Sequence, residues 1–377
     1  MRQQNGSPRS THRSRVLLFI PTLAGGGAER VAVNLIRATP SLDWHVAVWR
    51  GGGVFEEDLP AGVFRHVLGG KRLRHVAPRF GRLVMDVRPN VLLTSQWEAG
   101  VLASLVVPMR LPWIAWEHSC DVPSRPRVLM RYTSLAYNRR AFRVVCVSDQ
   151  LRKQLIDVGI KPHKVECIYN PVTGPWFERE YPPPLHPWFA KHEVLVSVGN
   201  LFPDKGYDIL LQAMATLLPR RSSTRLLVLG EGPLRAELTD LSVRLGLTGF
   251  VDFVGYQRNP FPYMAASAAL VMASRVEGLP TVIIEALACG APVISTDCPS
   301  GPREILQDGT SGLLVPPDDP TALAGAILQV LGDAELRSRF IEEGKKRAKD
   351  FSVDRAAKAF LGLFESAVVF RGRPNEH

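Results

Sequence analysis

ASRVEGLPTVIIEALACGAPVISTDCPSGPREILQDGTSGLL, residues 273–314, is the stretch that decides the fold. Its centre is Glu277-Gly278-Leu279-Pro280-Thr281, followed by an apolar run that carries Glu285 and ends at Gly290. Pro280 suits the first turn of a helix, where its missing N–H loses nothing, and Gly290 suits the exit. Glu277 is then in the loop before the helix, and Glu285 points inward from its second turn. Carboxylates on each side of a helix N-terminus point to a ligand with both hydroxyls and phosphates. The N–H groups around Leu279 to Val282 have no partner inside the helix and can take phosphate oxygens, while carboxylates accept from hydroxyls.

Working outward, short apolar strands alternate with amphipathic segments. Arg15 to Pro21 reads as a buried strand, then Thr22-Leu-Ala-Gly-Gly-Gly-Ala28 as a tight loop, and Glu29 opens a helix with Val31, Ala32, Leu35 and Ile36 on its apolar face. Gly26 and Gly27 would let backbone N–H groups approach a ligand closely, although three consecutive glycines are not the dinucleotide fingerprint. Strands follow at His45–Trp49, Phe64–Leu68, Val91–Ser95, Trp113–Trp116 and Val144–Ser148, separated by Pro78–Val87, Glu98–Val107 and Arg127–Phe142. Such alternation predicts a doubly wound parallel sheet with ligands at the carboxyl ends of its strands. Glu117 and His118 fall at one such end, and either could be the polar group that faces the ligand.

Gly174 to Pro187, with Pro182-Pro-Pro184, reads as a stiff linker. A second domain then starts with the strand Glu193–Gly199, passes through Asn200 to Lys205-Gly206, and enters a helix. A lysine just before a helix N-terminus is placed to neutralise a diphosphate. Further strands end at Gly230 and at Gly255-Tyr256, and helices are predicted over Pro320–Phe351 and Asp354–Val369. The boundaries expected are a disordered basic tail at 1–14, domains at 15–172 and 192–351 joined by a linker at 173–191, and a terminal helix in 352–377.

The chain's 377 residues exceed one ordinary core and suit two domains. Its five cysteines are scattered without metal-ligand spacing, which reads as a reducing compartment. No apolar run reaches the roughly 20 residues a membrane span needs, and the apolar Val16–Ile20 is too short for a signal core. A cytoplasmic protein is expected. Residues 1–170 hold 25 Lys and Arg against 12 Asp and Glu, a net of +13 within the chain's +10. That balance asks for an anionic partner, and no nucleic-acid-binding pattern accompanies it. Lys71, Arg72, Arg74, His75, Arg79 and Arg82 form one basic stretch. Arg125, Arg127, Arg131, Arg139, Arg140 and Arg143, interleaved with Leu129, Tyr132, Leu135 and Tyr137, form another that reads as a membrane-surface helix.

Glu277 and Glu285, with seven residues between them, resemble the E-x7-E signature of retaining glycosyltransferases of family 4. The resemblance covers about residues 15–369. It implies an α/β protein of GT-B fold: two facing Rossmann-like doubly wound domains, with the C-terminal helix crossing back onto the first. It further implies transfer of a hexose or N-acetylhexosamine from a nucleotide-diphosphate sugar, with a lean to UDP, to a lipid-linked or polysaccharide acceptor. In such enzymes Gly26 and Gly27 would face the donor phosphates, and His118 would touch the transferred sugar or a phosphate. Lys205 would bind the diphosphate, Gly255 and Tyr256 would read the base, Glu285 would hold the ribose and Glu277 the sugar hydroxyls. Gly278, Leu279, Pro280 and Thr281 complete the donor set. Where many relatives have an arginine this chain has Asn200, and Arg303, or else Arg275, is the candidate to supply the missing charge. No D-x-D stands in a metal-binding setting, so no cofactor or metal is expected. Peripheral contact with the inner face of the plasma membrane is expected through the basic stretches. A nucleotide-sugar epimerase and a non-catalytic nucleotide-sugar or membrane scaffold are the alternatives.

Overall fold

The computed structural model describes residues 13–70, 73–118, 127–177, 180–184 and 186–371. The tail apart from Arg13 and Ser14 lies outside them, as do Lys71, Arg72 and Arg125 and the side chains of Arg74 and Arg127.

Two sheets are built from parallel strands. The first contains β1 (Arg15–Ile20), β2 (Asp43–Val48), β3 (Phe64–Val67), β4 (Val91–Ser95), β5 (Trp113–Glu117), β6 (Arg143–Cys146) and β7 (Val165–Cys167), in the order β3-β2-β1-β4-β5-β6-β7. Its helices are α1 (Gly27–Ala38), α2 (Leu73–Val87), α3 (Trp97–Val106), α4 (Arg127–Arg140) and α5 (Asp149–Asp157). The second contains β8 (Glu193–Val198), β9 (Thr224–Leu229), β10 (Val251–Gly255), β11 (Ala269–Met272), β12 (Val293–Thr296) and β13 (Leu313–Val315), in the order β10-β9-β8-β11-β12-β13. Between and after these strands run α6 (Tyr207–Leu217), α7 (Arg235–Arg244), α8 (Phe261–Ala266), α9 (Thr281–Cys289), α10 (Pro302–Ile305), α11 (Pro320–Gly332), α12 (Ala334–Ala348) and α13 (Val353–Arg371). Both orders reverse direction beside their first strand, the topology of a doubly wound Rossmann-like sheet.

Contacts divide the described chain into two compact units. One comprises residues up to Trp116 with Arg139–Arg143 and the chain from Phe360 onward; the other comprises Glu117–Asn138 and Val144–Ala359. In the first, Val16 to Ile20 are at most 1% exposed, which explains why β1 is apolar without alternation. Trp113 is fully buried because its indole N–H has Thr94 Oγ1 at 2.9 Å. Phe360 packs edge-on against Trp116 at 4.9 Å, and Phe364 against Trp44 at 6.0 Å. In the second unit, Leu210 and Met214 of α6 share a core with Leu323 and Ile327 of α11.

The single helix read over Pro320–Phe351 is in fact two, followed by a short 3-10 turn. Asp333 is extended, at φ −117° and ψ 104°, and its carboxylate caps α12 through the Leu336 N–H at 2.9 Å. The capping bond offsets the break. Around Pro280 the shift is one residue: it is the N-cap of α9, not its first turn, while Gly290 closes the helix at φ +78° as expected. Among the described residues no helix is long and apolar enough to cross a membrane.

Candidate active site

Lys205 ends a short 3-10 turn, Pro203–Lys205, and Gly206 then starts α6 at φ +63°. A Cβ at Gly206 would come within 2.0 Å of the Ala273 carbonyl oxygen, so the Lys-Gly pair is fixed by close approach to the loop after β11. The Lys205 ammonium donates to Glu277 Oε1 at 2.9 Å and lies 3.5 Å from Asp204 Oδ2. Burial acts to lower the Lys205 pKa, but the two carboxylates outweigh it and the net shift is upward. Lys205 therefore stays charged at neutral pH.

Glu277 also accepts from Ser274 Oγ at 2.7 Å, and Ser274 is itself buried. Sequence reasoning missed Ser274. It orients the carboxylate that Lys205 holds, and its own carbonyl is held by Thr296 Oγ1 at 2.5 Å. Behind the Glu277 loop, Ser300 Oγ donates to the Gly278 carbonyl at 2.9 Å. A Cβ on Gly301 would meet Pro280 Cδ at 2.5 Å, so the loop after β12 packs tightly on Gly278–Pro280. Glu285 is 6% exposed on α9, as its position in an apolar run required.

The remaining donor-side residues are spread along the carboxyl ends of β8 and β10. Asn200 is exposed after β8, Gly255 takes φ +84°, and Tyr256 is 44% exposed. Each candidate for the missing positive charge already has carboxylate partners. Arg303, exposed at the start of α10, holds Asp297 and, at 3.1 Å, Asp308. Arg275 clamps Asp208 through two bonds of 2.9 and 2.7 Å and Asp318 through one of 2.6 Å, which pushes its pKa up. Arg275 thereby locks the Glu277 loop to the first turn of α6, a role the sequence could not show because Asp208 is 67 residues away.

At the end of β5 the two candidates separate. Glu117 is 2% exposed and accepts the Tyr137 hydroxyl, whereas His118 is partly exposed with its Nδ1 out of reach of solvent. Burial pushes the His118 pKa down to about 3, so the ring is neutral at physiological pH. Because the unfolded chain binds that proton near pH 6.5 and the folded one does not, stability from this group is full above pH 6.5 and is lost as pH falls. Between pH 7.5 and 5.5 His118 should cost roughly 1.4 kcal/mol. Urea unfolding of the wild type and His118→Asn at the two pH values checks this, the variant losing that much less on acidification. Gly26 and Gly27, in the first unit, form the N-cap and first residue of α1.

Residues 25–173 match the family described as Glycosyltransferase Family 4, and residues 183–347 match Glycosyl transferases group 1. A lipopolysaccharide core biosynthesis glycosyltransferase, LpsE of Rhizobium meliloti, is 30% identical over 90% of this chain and 96% of its own. An N-acetylgalactosaminyltransferase of Campylobacter jejuni, named for a diphospho-undecaprenol-linked acceptor, is 27% identical over 91% of this chain and 97% of its own. Among solved structures, Anabaena HepE in complex with UDP and glucose superposes with a TM-score of 0.81 at 22% identity, covering 94% of this chain and all of that one. The GT-B fold and the ordered loops at its strand ends thus have their counterpart in sequence, and the chain belongs to the family 4 type of GT-B glycosyltransferases.

Proposed function

We propose that this glycosyltransferase moves a hexose or N-acetylhexosamine from a UDP-sugar to a lipid-linked or polysaccharide acceptor in cell-surface glycan assembly, with retention at the anomeric carbon. The observation that carries it is the Lys205–Glu277 pair, oriented by Ser274 in the loop before α9, with Glu285 buried on that helix. In this reading the Lys205 ammonium and the backbone N–H groups of Leu279 and Thr281 take the charge that grows on the leaving diphosphate. Glu277 receives the hydroxyls of the transferred sugar, and Glu285 those of the ribose. Gly26 and Gly27 approach the donor phosphates, Gly255 and Tyr256 the base, and neutral His118 the sugar. The bond from the anomeric carbon to phosphate oxygen breaks, the acceptor oxygen bonds to the same face, and its proton passes to the departing diphosphate. These cationic and amide groups supply the charge stabilisation, so turnover should persist in EDTA.

The acceptor class draws support from the named relatives, which act in lipopolysaccharide core synthesis and on a diphospho-undecaprenol glycan. Proton NMR of the product formed from an α-linked UDP-sugar tests the stereochemistry. An α product is expected, and a β product would rule out retention.

The membrane reading draws on α4. Val128, Arg131, Tyr132, Leu135 and Arg139 are all exposed on it, at spacings that bring them along one side of the helix. An anionic bilayer on the cytoplasmic face suits that mixture of apolar and basic groups. Neutralising Arg131 and Arg139, at ~1 kcal/mol each, should weaken sedimentation with phosphatidylglycerol vesicles about 30-fold and leave neutral vesicles unaffected.

A further inference from the structure

The first unit holds, next to Gly26, a pair of side chains that have no part in the donor set. Gln96, between β4 and α3, has φ 74° and ψ 154°. That region of backbone space is essentially confined to glycine, and another residue persists there only when its surroundings hold it. Its N–H donates to the Trp116 carbonyl at 3.0 Å, and its side-chain amide donates to Glu29 Oε1 at 3.4 Å. Glu29 lies in the first turn of α1, three residues after the N-cap Gly26, and is 7% exposed. Its carboxyl fills the space beside Gly26, where a Cβ would come within 2.4 Å of Glu29 Oε2. Burial raises the Glu29 pKa, and bonds from its own backbone, from the Gln96 amide and from the Gly26 backbone partly offset that.

The place of this pair in the fold is specific. β1 and β4 are neighbours, and the winding of the first sheet reverses between them. Loops that leave the carboxyl ends of two such strands diverge, and that is where open parallel sheets take ligands. Glu29 follows the first of these loops and Gln96 occupies the second.

The chemistry of the pair is directional. The nitrogen of the Gln96 amide faces Glu29 Oε1 and donates to it. The amide's carbonyl oxygen is then the atom left to accept from a hydroxyl. A glycine would adopt the same backbone at lower cost, so the side chain is kept at this position against the interest of stability.

We infer that Gln96 is an acceptor-binding residue, its side-chain carbonyl taking a hydrogen bond from a hydroxyl of the glycan acceptor, and that Glu29 is the positioning residue that sets the orientation of that amide. The inference rests on the glycosyl-transfer reading for the identity of the ligand. UDP binding rests mainly on Lys205, Gly255, Tyr256 and Glu285 of the other unit and serves as the internal control.

The test uses full-length Gln96→Gly and Glu29→Gln with UDP-N-acetylgalactosamine as donor and a polyprenyl-diphosphate-linked N-acetylgalactosamine as acceptor. Gln96→Gly should melt at a higher temperature than the wild type and bind UDP unchanged by calorimetry. It should lose up to about tenfold in kcat/KM for the acceptor, mainly in KM, as expected for one lost hydrogen bond. Glu29→Gln can turn its own NH2 toward Gln96 and release the amide to flip. It should therefore raise the acceptor KM several-fold with UDP affinity and kcat little changed. A residue that only supports the fold would lower the melting temperature and would not separate acceptor KM from UDP affinity. Wild-type acceptor kcat/KM in Gln96→Gly would overturn the inference. If the wild type transfers no sugar from any UDP donor, the transfer reading fails instead. The inference is then judged by titrating the same acceptor, without donor, against tryptophan fluorescence: tighter binding by the wild type than by Gln96→Gly upholds it, and equal binding overturns it.

Discussion

Replacing Lys205 with alanine should lower turnover by about 10²–10³-fold, the range found when one preorganised donor to a developing anion is removed. The size follows from where the ammonium sits. It is partly buried beside two carboxylates, with its pKa raised, so it presents a fixed charge that needs little rearrangement during the reaction. Glu277 keeps Ser274 as a partner when the lysine is gone, so the loop should survive. Circular dichroism melting should stay within a few degrees of the wild type while the rate of UDP formation falls. Lys205→Arg should recover part of the rate, since it restores the charge but not the compact geometry of an ammonium. Turnover within threefold of the wild type in Lys205→Ala would remove the phosphate role from this residue.

Replacing Glu285 with alanine should abolish most of the stabilisation that UDP provides. A charge-assisted pair of bonds to ribose hydroxyls is worth roughly 2–3 kcal/mol, or a loss of about 30–150-fold in affinity. At a UDP concentration of 100 times the wild-type Kd, binding should stabilise the wild type by about 2.7 kcal/mol and raise its melting midpoint by roughly 5 °C. The same concentration should move Glu285→Ala by only about 1 °C. Because Glu285 is 6% exposed, the variant's own midpoint without ligand must be measured alongside, and the ligand-dependent difference is the quantity that counts. An undiminished UDP shift in Glu285→Ala would move the ribose site elsewhere.

The architecture was legible because its signals are local. β1 and β8 are short apolar runs with glycine loops or polar turns directly after them, and α9 is bracketed by Pro280 and Gly290. The break at Asp333 was also local, since Gly332-Asp333 pairs a helix breaker with a capping residue, but the apolar period on both sides concealed it. Likewise Ser148 caps α5 through the Leu151 N–H at 3.1 Å, a signal present in the sequence but not read as a helix start. The site was legible only in part. Lys205, Glu277 and Glu285 stood out by type and spacing. The partners of Arg275 did not, because Asp208 and Asp318 reach it through tertiary packing. Gln96 carried no signal at all, since glutamine is not a residue that announces a glycine-like backbone, and Glu29 read only as an opening residue of α1.

The most direct measurement of the central claim is transfer of radiolabel from UDP-, GDP- and ADP-sugars to a polyprenyl-diphosphate-linked N-acetylhexosamine. The account predicts that label from a UDP-sugar enters the lipid fraction and that the transfer is lost with Lys205→Ala. Label entering from a GDP- or ADP-sugar, with none from UDP, would contradict it.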